Sequence, residues 1–236
     1  MQLRTLVLPV ALLISLPAFA QGDSGKARTD VPDFHGVAVS HGIRAEVKPG
    51  AKSVRLEGKQ EDVARVKLVV KDGVLQTEVE KTEVEKTGFF SRGLKDVRLY
   101  VTSPRVESVA ASGGSRVQAE ATKADGFSVA SSGGSAIKVT GVDAKKLEVA
   151  ASGGSELTLQ GRTGELEVAG SGGSIIEARD VQTEELEVQA SGGSRVEATA
   201  ERSITGSLSG GSMMKAGKKP ERVQVSTSGG AGIQYE

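Results

Sequence analysis

A Ser-Gly-Gly triplet recurs seven times between Ser112 and Gly230, six times as Ser-Gly-Gly-Ser, at intervals of 18 to 20 residues. The glycine pairs are Gly113 and Gly114, Gly133 and Gly134, Gly153 and Gly154, Gly172 and Gly173, Gly192 and Gly193, Gly210 and Gly211, and Gly229 and Gly230. A unit this short cannot enclose a core of its own, so it must stack on copies of itself.

The flanks of the motif alternate with period two. Leu147, Val149 and Ala151 precede one serine at the same offsets as Leu166, Val168, Gly170 and Leu186, Val188, Ala190 precede the next two. After the motif come Val117 and Ala119, Ile137 and Val139, Leu157 and Leu159, Ile176 and Ala178, Val196 and Ala198. Such alternation buries one face of each strand and wets the other. Each copy reads as strand, Gly-Gly corner, strand and polar return.

A rung of this length, rising ~3.3 Å per residue, closes two or three short sides around a dry interior. The expected fold is therefore all-β, a single-stranded parallel β-helix with rungs ~4.8 Å apart and equivalent residues in ladders. A left-handed β-helix keeps a strict six-residue beat. The drifting period favours the right-handed form, in line with the hand of parallel crossovers. The competing arrangement is a hairpin meander, because Gly-Gly also serves as a two-residue hairpin turn.

Residues 1–20 have the form of a secretory signal: Arg4, an apolar stretch from Leu6 to Leu16, and Ala18-Phe19-Ala20 ahead of Gln21. The expectation is an exported protein, periplasmic, secreted or at the cell surface, with no integral membrane segment once the signal is removed. Residues 21–33 read as a flexible leader. The absence of cysteine rules out disulfides and thiolate chemistry. Thirty basic and thirty acidic side chains are interspersed, without the basic stripe of a nucleic-acid binder. No cofactor is expected.

Residues 34–104 lack the motif but keep strand signals, with turns at Lys48-Pro49-Gly50 and Lys71-Asp72-Gly73 and a helical turn or wide corner at Gln60 to Ala64. This segment is expected to form irregular opening rungs that cap the stack, with residues 105–236 forming the repeat β-helix of the same domain. Phe34-His35-Gly36-Val37-Ala38-Val39, Gly42-Ile43-Arg44-Ala45-Glu46-Val47, Lys71-Asp72-Gly73-Val74-Leu75, and Val97 to Pro104 leading into the repeats follow one another in order. In that order the chain resembles the "putative auto-transporter adhesin, head GIN domain" family, DUF2807. Members usually carry Ser-Gly-Ser-Gly or Ser-Gly-Ala-Gly at the corner, where this chain has Ser-Gly-Gly-Ser. The resemblance implies an exported β-helical domain.

Four features are candidates for chemistry or binding. The Ser-Gly-Gly ladder, with Ala110, Ala130, Ala150 and Ala169 outward beside it, offers a flat small-residue surface for a polymer or another copy. The plain alternative is that glycine supplies positive φ and serine bonds locally. Calcium binding of the nonapeptide-repeat kind needs Asp at these turns, and they have Ser. Glu148, Glu167 and Glu187 should stack as a carboxylate row, which either recruits a cation or stays solvated beside Lys146. His35 and His41 have no recognisable partners and read as solvent-facing. Phe89 and Phe90, in a loop spanning 77–95, serve either as an anchor for a partner or membrane surface or as a plug for the open end.

These features favour a non-catalytic envelope module, adhesin-like, that binds a surface polymer or a protein partner, self-association included. The alternative is a polysaccharide-active β-helix enzyme, a lyase or hydrolase, which needs converging carboxylates and basic residues in a groove.

Overall fold

Period-two alternation places Leu147, Val149 and Ala151 on one side of the backbone and Glu148 and Ala150 on the other, and the structure buries the first set and exposes the second. The computed structural model describes residues 27–28, 30–80 and 93–236. Their strands are β1 (Ala27–Arg28), β2 (Gly36–Val39), β3 (Arg44–Pro49) and β4 (Ser53–Glu57), then, after helix α1 (Gln60–Ala64), β5 (Val66–Lys71), β6 (Val74–Val79) and β7 (Arg98–Ser103). The repeats supply β8 (Ser108–Ala111), β9 (Arg116–Glu120), β10 (Ala124–Ser131), β11 (Ala136–Ala151), β12 (Glu156–Gly170), β13 (Ile175–Ala190), β14 (Arg195–Leu208), β15 (Met213–Ala216), β16 (Arg222–Thr227) and β17 (Gly232–Tyr235).

These strands form a parallel β-solenoid of about six turns. Parallel pairing from β8 through β16 excludes the hairpin meander, in which neighbours would run antiparallel. Each rung has a first face before the Gly-Gly corner and a second face after it. The long strands β11 to β14 run from the second face of one rung, through the return, to the first face of the next.

Equivalent side chains stack in columns. Val109, Val129, Val149, Val168 and Val188 make one on the first face, each at most 3% exposed. Val117, Ile137, Leu157, Ile176, Val196 and Met214 make another on the second. Each such burial contributes roughly 1.5–3 kcal/mol, in a core with very little aromatic content. Variation in repeat length is absorbed at the return, where the register shifts between Val139 and Val142, Thr158 and Gln160, and Ala178 and Thr183. Gly161 lies at one such bend with φ +145, and a Cβ there would fall 2.2 Å from the Val142 carbonyl oxygen.

The opening segment does not follow chain order. β2 and β3 form a rung whose neighbours on one side are β6 and β7 and on the other β8 and β9. The first rung in sequence is thus enclosed between later ones. Beyond it the direction changes: β5 pairs antiparallel with β6, β4 with β7, and β1 with β4. The irregular cap is therefore antiparallel at its rim, and α1 occupies the position read as a helical turn.

The register gives a sharp test of modularity. Leu147 pairs with Leu166, so deleting residues 147–165 rejoins equivalent positions and should leave a β-type circular dichroism spectrum and a cooperative melt. Deleting one residue more, 147–166, either slips the register by one or shortens the return and draws Lys146 into the buried Leu147 position; that variant should melt well below the first. Val149→Asp, which places an unpaired charge at a 3% exposed position, should cost several kcal/mol in denaturant titration.

Candidate functional site

The outward side chains of the first face are small because Ala110, Ala130, Ala150 and Ala169 stand in register, followed at the corners by Ser112, Ser132, Ser152 and Ser171. Together they floor a groove of about 750 Å³ that crosses several rungs. Gln76, Thr77 and Ser40 line its N-terminal end and Gln189, Ser207 and Ser209 the other. Among the described residues no charged side chain lines it, although a quarter of the chain is charged.

The corners bounding the groove are built as glycine chemistry requires. The first glycine of every corner has positive φ, from +61 at Gly113 to +70 at Gly192. The closing serine is buried and bonds locally: Ser115 and Ser135 donate to the carbonyls of Ser112 and Ser132 at 2.8 Å, and Ser194 to that of Ser191 at 3.0 Å. Ser155 and Ser212 instead reach the preceding rung, at the carbonyls of Ser131 and Ala190. At these five corners the contacts account for the closing serine without a ligand, whereas the buried Ser174 hydroxyl has no partner among the described residues.

An eighth corner went unread in the sequence. Ser40-His41-Gly42-Ile43 joins β2 to β3 as Ser112-Gly113-Gly114-Ser115 joins β8 to β9, with φ +62 at His41 and +80 at Gly42. The signal was present in the alternation of Val37 and Val39, but His replaces the first glycine. His41 has a partner: its Nδ1 lies 2.7 Å from Ser40 Oγ. The Ser40 hydroxyl donates to the Thr77 carbonyl at 3.0 Å, and Ser40 N–H donates to Thr77 Oγ1 at 2.9 Å. Ser40 Oγ thus sits between His41 Nδ1 and the Thr77 carbonyl and ties this corner to β6. His35 lies apart, with Nδ1 3.5 Å from Glu107 Oε2.

Glu148, Glu167 and Glu187 do stack in register, outside the groove lining. Lys146 bridges the first two, 3.2 Å from Glu148 and 2.8 Å from Glu167, and Gln189 donates to Glu187 at 3.2 Å. Hydrogen bonds to Glu167 and then Glu148 hold the Lys146 ammonium above the usual lysine range. The row is solvated and relieved by its own lysine. Among the described residues no cluster of His, Asp and Glu is arranged to hold a metal ion. Phe89 and Phe90 lie outside the described residues.

A family profile described as "Putative auto-transporter adhesin, head GIN domain" (DUF2807) matches residues 33–220. Among solved structures, the chain is similar to a putative adhesin from Bacteroides fragilis, with a TM-score of 0.81 at 19% identity over 90% of this chain and 96% of that one. It is similar also to a putative lipid binding protein from Parabacteroides distasonis, with a TM-score of 0.66 at 13% identity, covering 90% and 97% of the two chains. A putative adhesin from Parabacteroides merdae gives 0.63 at 14% identity, covering 90% and 95%. At these identities the likeness is one of fold. No curated protein matches the chain.

Two outcomes follow from the corner and the carboxylate row. His41→Gly should raise stability by about 1 kcal/mol, since an L side chain in the left-handed region costs that much; a fall in Tm would mean that the Ser40 contact outweighs the strain. A raised lysine pKa contributes stability at every pH below the unfolded value, 10.5, and loses it only as pH climbs through the higher folded value. Lys146→Met should therefore lower Tm slightly and by the same amount at pH 7 and pH 10, with the deficit shrinking in 1 M NaCl.

Proposed function

The chain belongs to the head GIN domain family of putative auto-transporter adhesins, and from that membership we propose that it is an exported, non-catalytic module that binds an extended partner along its first face. The observation that carries this reading is the uncharged groove spanning several rungs. Its length suits a polymer or an extended chain segment lying along the solenoid axis. Its floor of alanine and serine lets such a chain approach the backbone closely without desolvating a fixed charge.

Hydrolysis or elimination on a polysaccharide calls for carboxylates converging on one bond. Among the described residues the groove presents none, and of the glutamate row beside it Glu148 and Glu167 are paired with Lys146 while Glu187 accepts from Gln189. An extracytoplasmic location accords with the family's name and with the signal-like residues 1–20. Among the described residues no helix is long and apolar enough to cross a membrane. Phe89 and Phe90 are a second candidate contact, for a protein partner, because buried aromatic side chains dominate binding energy.

Sedimentation of the purified protein with peptidoglycan sacculi and with insoluble cell-surface polysaccharides, after fractionation of the native cell, tests the reading. Ala130→Arg with Ala150→Arg, both exposed, should abolish co-sedimentation and leave Tm unchanged. If those variants bind normally while Phe89→Ser with Phe90→Ser does not, the groove is not the site. An intact mass beginning at Gln21 in the exported fraction would support the export reading, and retention of residue 1 there would sink it.

A further inference from the structure

The Gly-Gly corners look alike in sequence but come in two forms. At Gly113 and Gly114, Gly133 and Gly134, and Gly153 and Gly154, both glycines have positive φ. At the four later corners only Gly172, Gly192, Gly210 and Gly229 do. The peptide plane joining the two glycines has turned over, and the hydrogen bonds record it. Gly114 and Gly134 donate forward, to the carbonyls of Gly133 and Gly153, each at 3.1 Å. Gly193, Gly211 and Gly230 donate backward, to the carbonyls of Gly172, Gly192 and Gly210, at 2.6 to 2.7 Å.

The reversal falls between Gly154 and Gly173. The Gly154 N–H is directed at the later rung and the Gly173 N–H at the earlier one, and neither donates to a protein acceptor among the described residues. The carbonyls that would have served them, Gly172 and Gly153, already accept from Gly193 and Gly134. The rungs stay in register on either side, where Ser171 N–H meets the Ala151 carbonyl at 2.9 Å and Ile175 N–H that of Ser155 at 2.8 Å. Two donors thus converge at about one rung spacing, ~4.8 Å. One acceptor atom ~2.9 Å from both nitrogens fits on the solvent side between them.

Each donor also ends a run of aligned, hydrogen-bonded amides. One passes through the corner peptides of Gly113, Gly133 and Gly153, the other through those of Gly229, Gly210, Gly192 and Gly172. Aligned peptide dipoles add, and hydrogen-bonded chains polarise one another, so both runs present their positive ends here. Gly154 and Gly173 are exposed, and a Cβ at either would meet nothing within 4 Å. The same corner holds Ser174, whose fully buried hydroxyl has no partner, unlike those of Ser115, Ser135, Ser155, Ser194 and Ser212.

We propose that this junction is an oxyanion site, seating one carboxylate or sulfate oxygen between the N–H groups of Gly154 and Gly173. The oxygen can belong to a free ion or to an acidic polysaccharide. The site rests on corner geometry alone and stands or falls independently of the groove.

Amide spectra of the ¹⁵N-labelled protein, titrated with sodium sulfate against sodium chloride at matched ionic strength, test it. The Gly154 and Gly173 amide protons should move downfield together and saturably with sulfate, while that of Gly193, already bonded, stays still. Polygalacturonate, with neutral dextran as control, separates the sources: a shift at these two amides with polygalacturonate assigns a polymer-borne carboxylate, and a shift with sulfate alone assigns free ions. Gly154→Ala disfavours positive φ and should turn its corner to the later form, which hands the Gly173 N–H the Gly153 carbonyl and leaves residues 134 and 154 as the facing donors. The response should move to that pair with the circular dichroism unchanged. An equal response to chloride, no response at Gly154 and Gly173 beyond that of Gly193, or a response that stays on Gly173 in the variant overturns the proposal.

Discussion

Every rung of this protein is held by the in-register backbone ladder to the rungs above and below, and the rest of the structure adjusts to keep that ladder unbroken. The corners hold register from rung to rung, as the repeated bond from a corner serine N–H to the preceding rung shows at Ser132, Ser152, Ser171, Ser191 and Ser209. Repeats of unequal length therefore put their slack elsewhere, in the returns near Val139, Thr158 and Ala178. Buried polar backbone in the hydrophobic interior would otherwise be left unpaired, at a cost no column of valines offsets cheaply.

A ladder has ends, and an open end is a template for another strand. At the N-terminal side the chain answers this by leaving the parallel direction altogether. β4 and β5 run against their neighbours, β1 adds to β4, and the rung of β2 and β3 is enclosed by strands made later. Thr77 ties the enclosed rung to β6, its hydroxyl accepting the Ser40 N–H and its carbonyl the Ser40 hydroxyl. The left-handed backbone at His41 follows from that enclosure, because its corner must match the glycine corner of the next rung.

The two faces differ in where they carry charge. The second face and the returns carry charge in cross-rung pairs such as Arg179 with Glu197 and Arg162 with Asp143, which are screened and contribute little each. The first face is small and uncharged along the groove. On the first face the glutamate row and Lys146 carry their charge outside the groove lining.

Much of this was legible in the amino-acid sequence, because a period of 18 to 20 residues with alternating apolar flanks admits few closed solutions. The repeat, the inward columns from Leu147 to Ala198, the outward alanines and the stacked glutamates are local patterns copied many times, and a pattern repeated at fixed offset states its own register. What happens once could not be read that way. The enclosure of β2 and β3 between later rungs, the antiparallel rim and the His41 corner depend on contacts across long sequence separations, with one histidine in place of the diagnostic glycine. The turnover of the peptide plane between Gly154 and Gly173 was equally hidden, since both corners are spelled Ser-Gly-Gly-Ser. Glycine permits either orientation at similar cost, so the choice falls to the hydrogen bonds each corner finds in its neighbours, which only the stacked structure supplies.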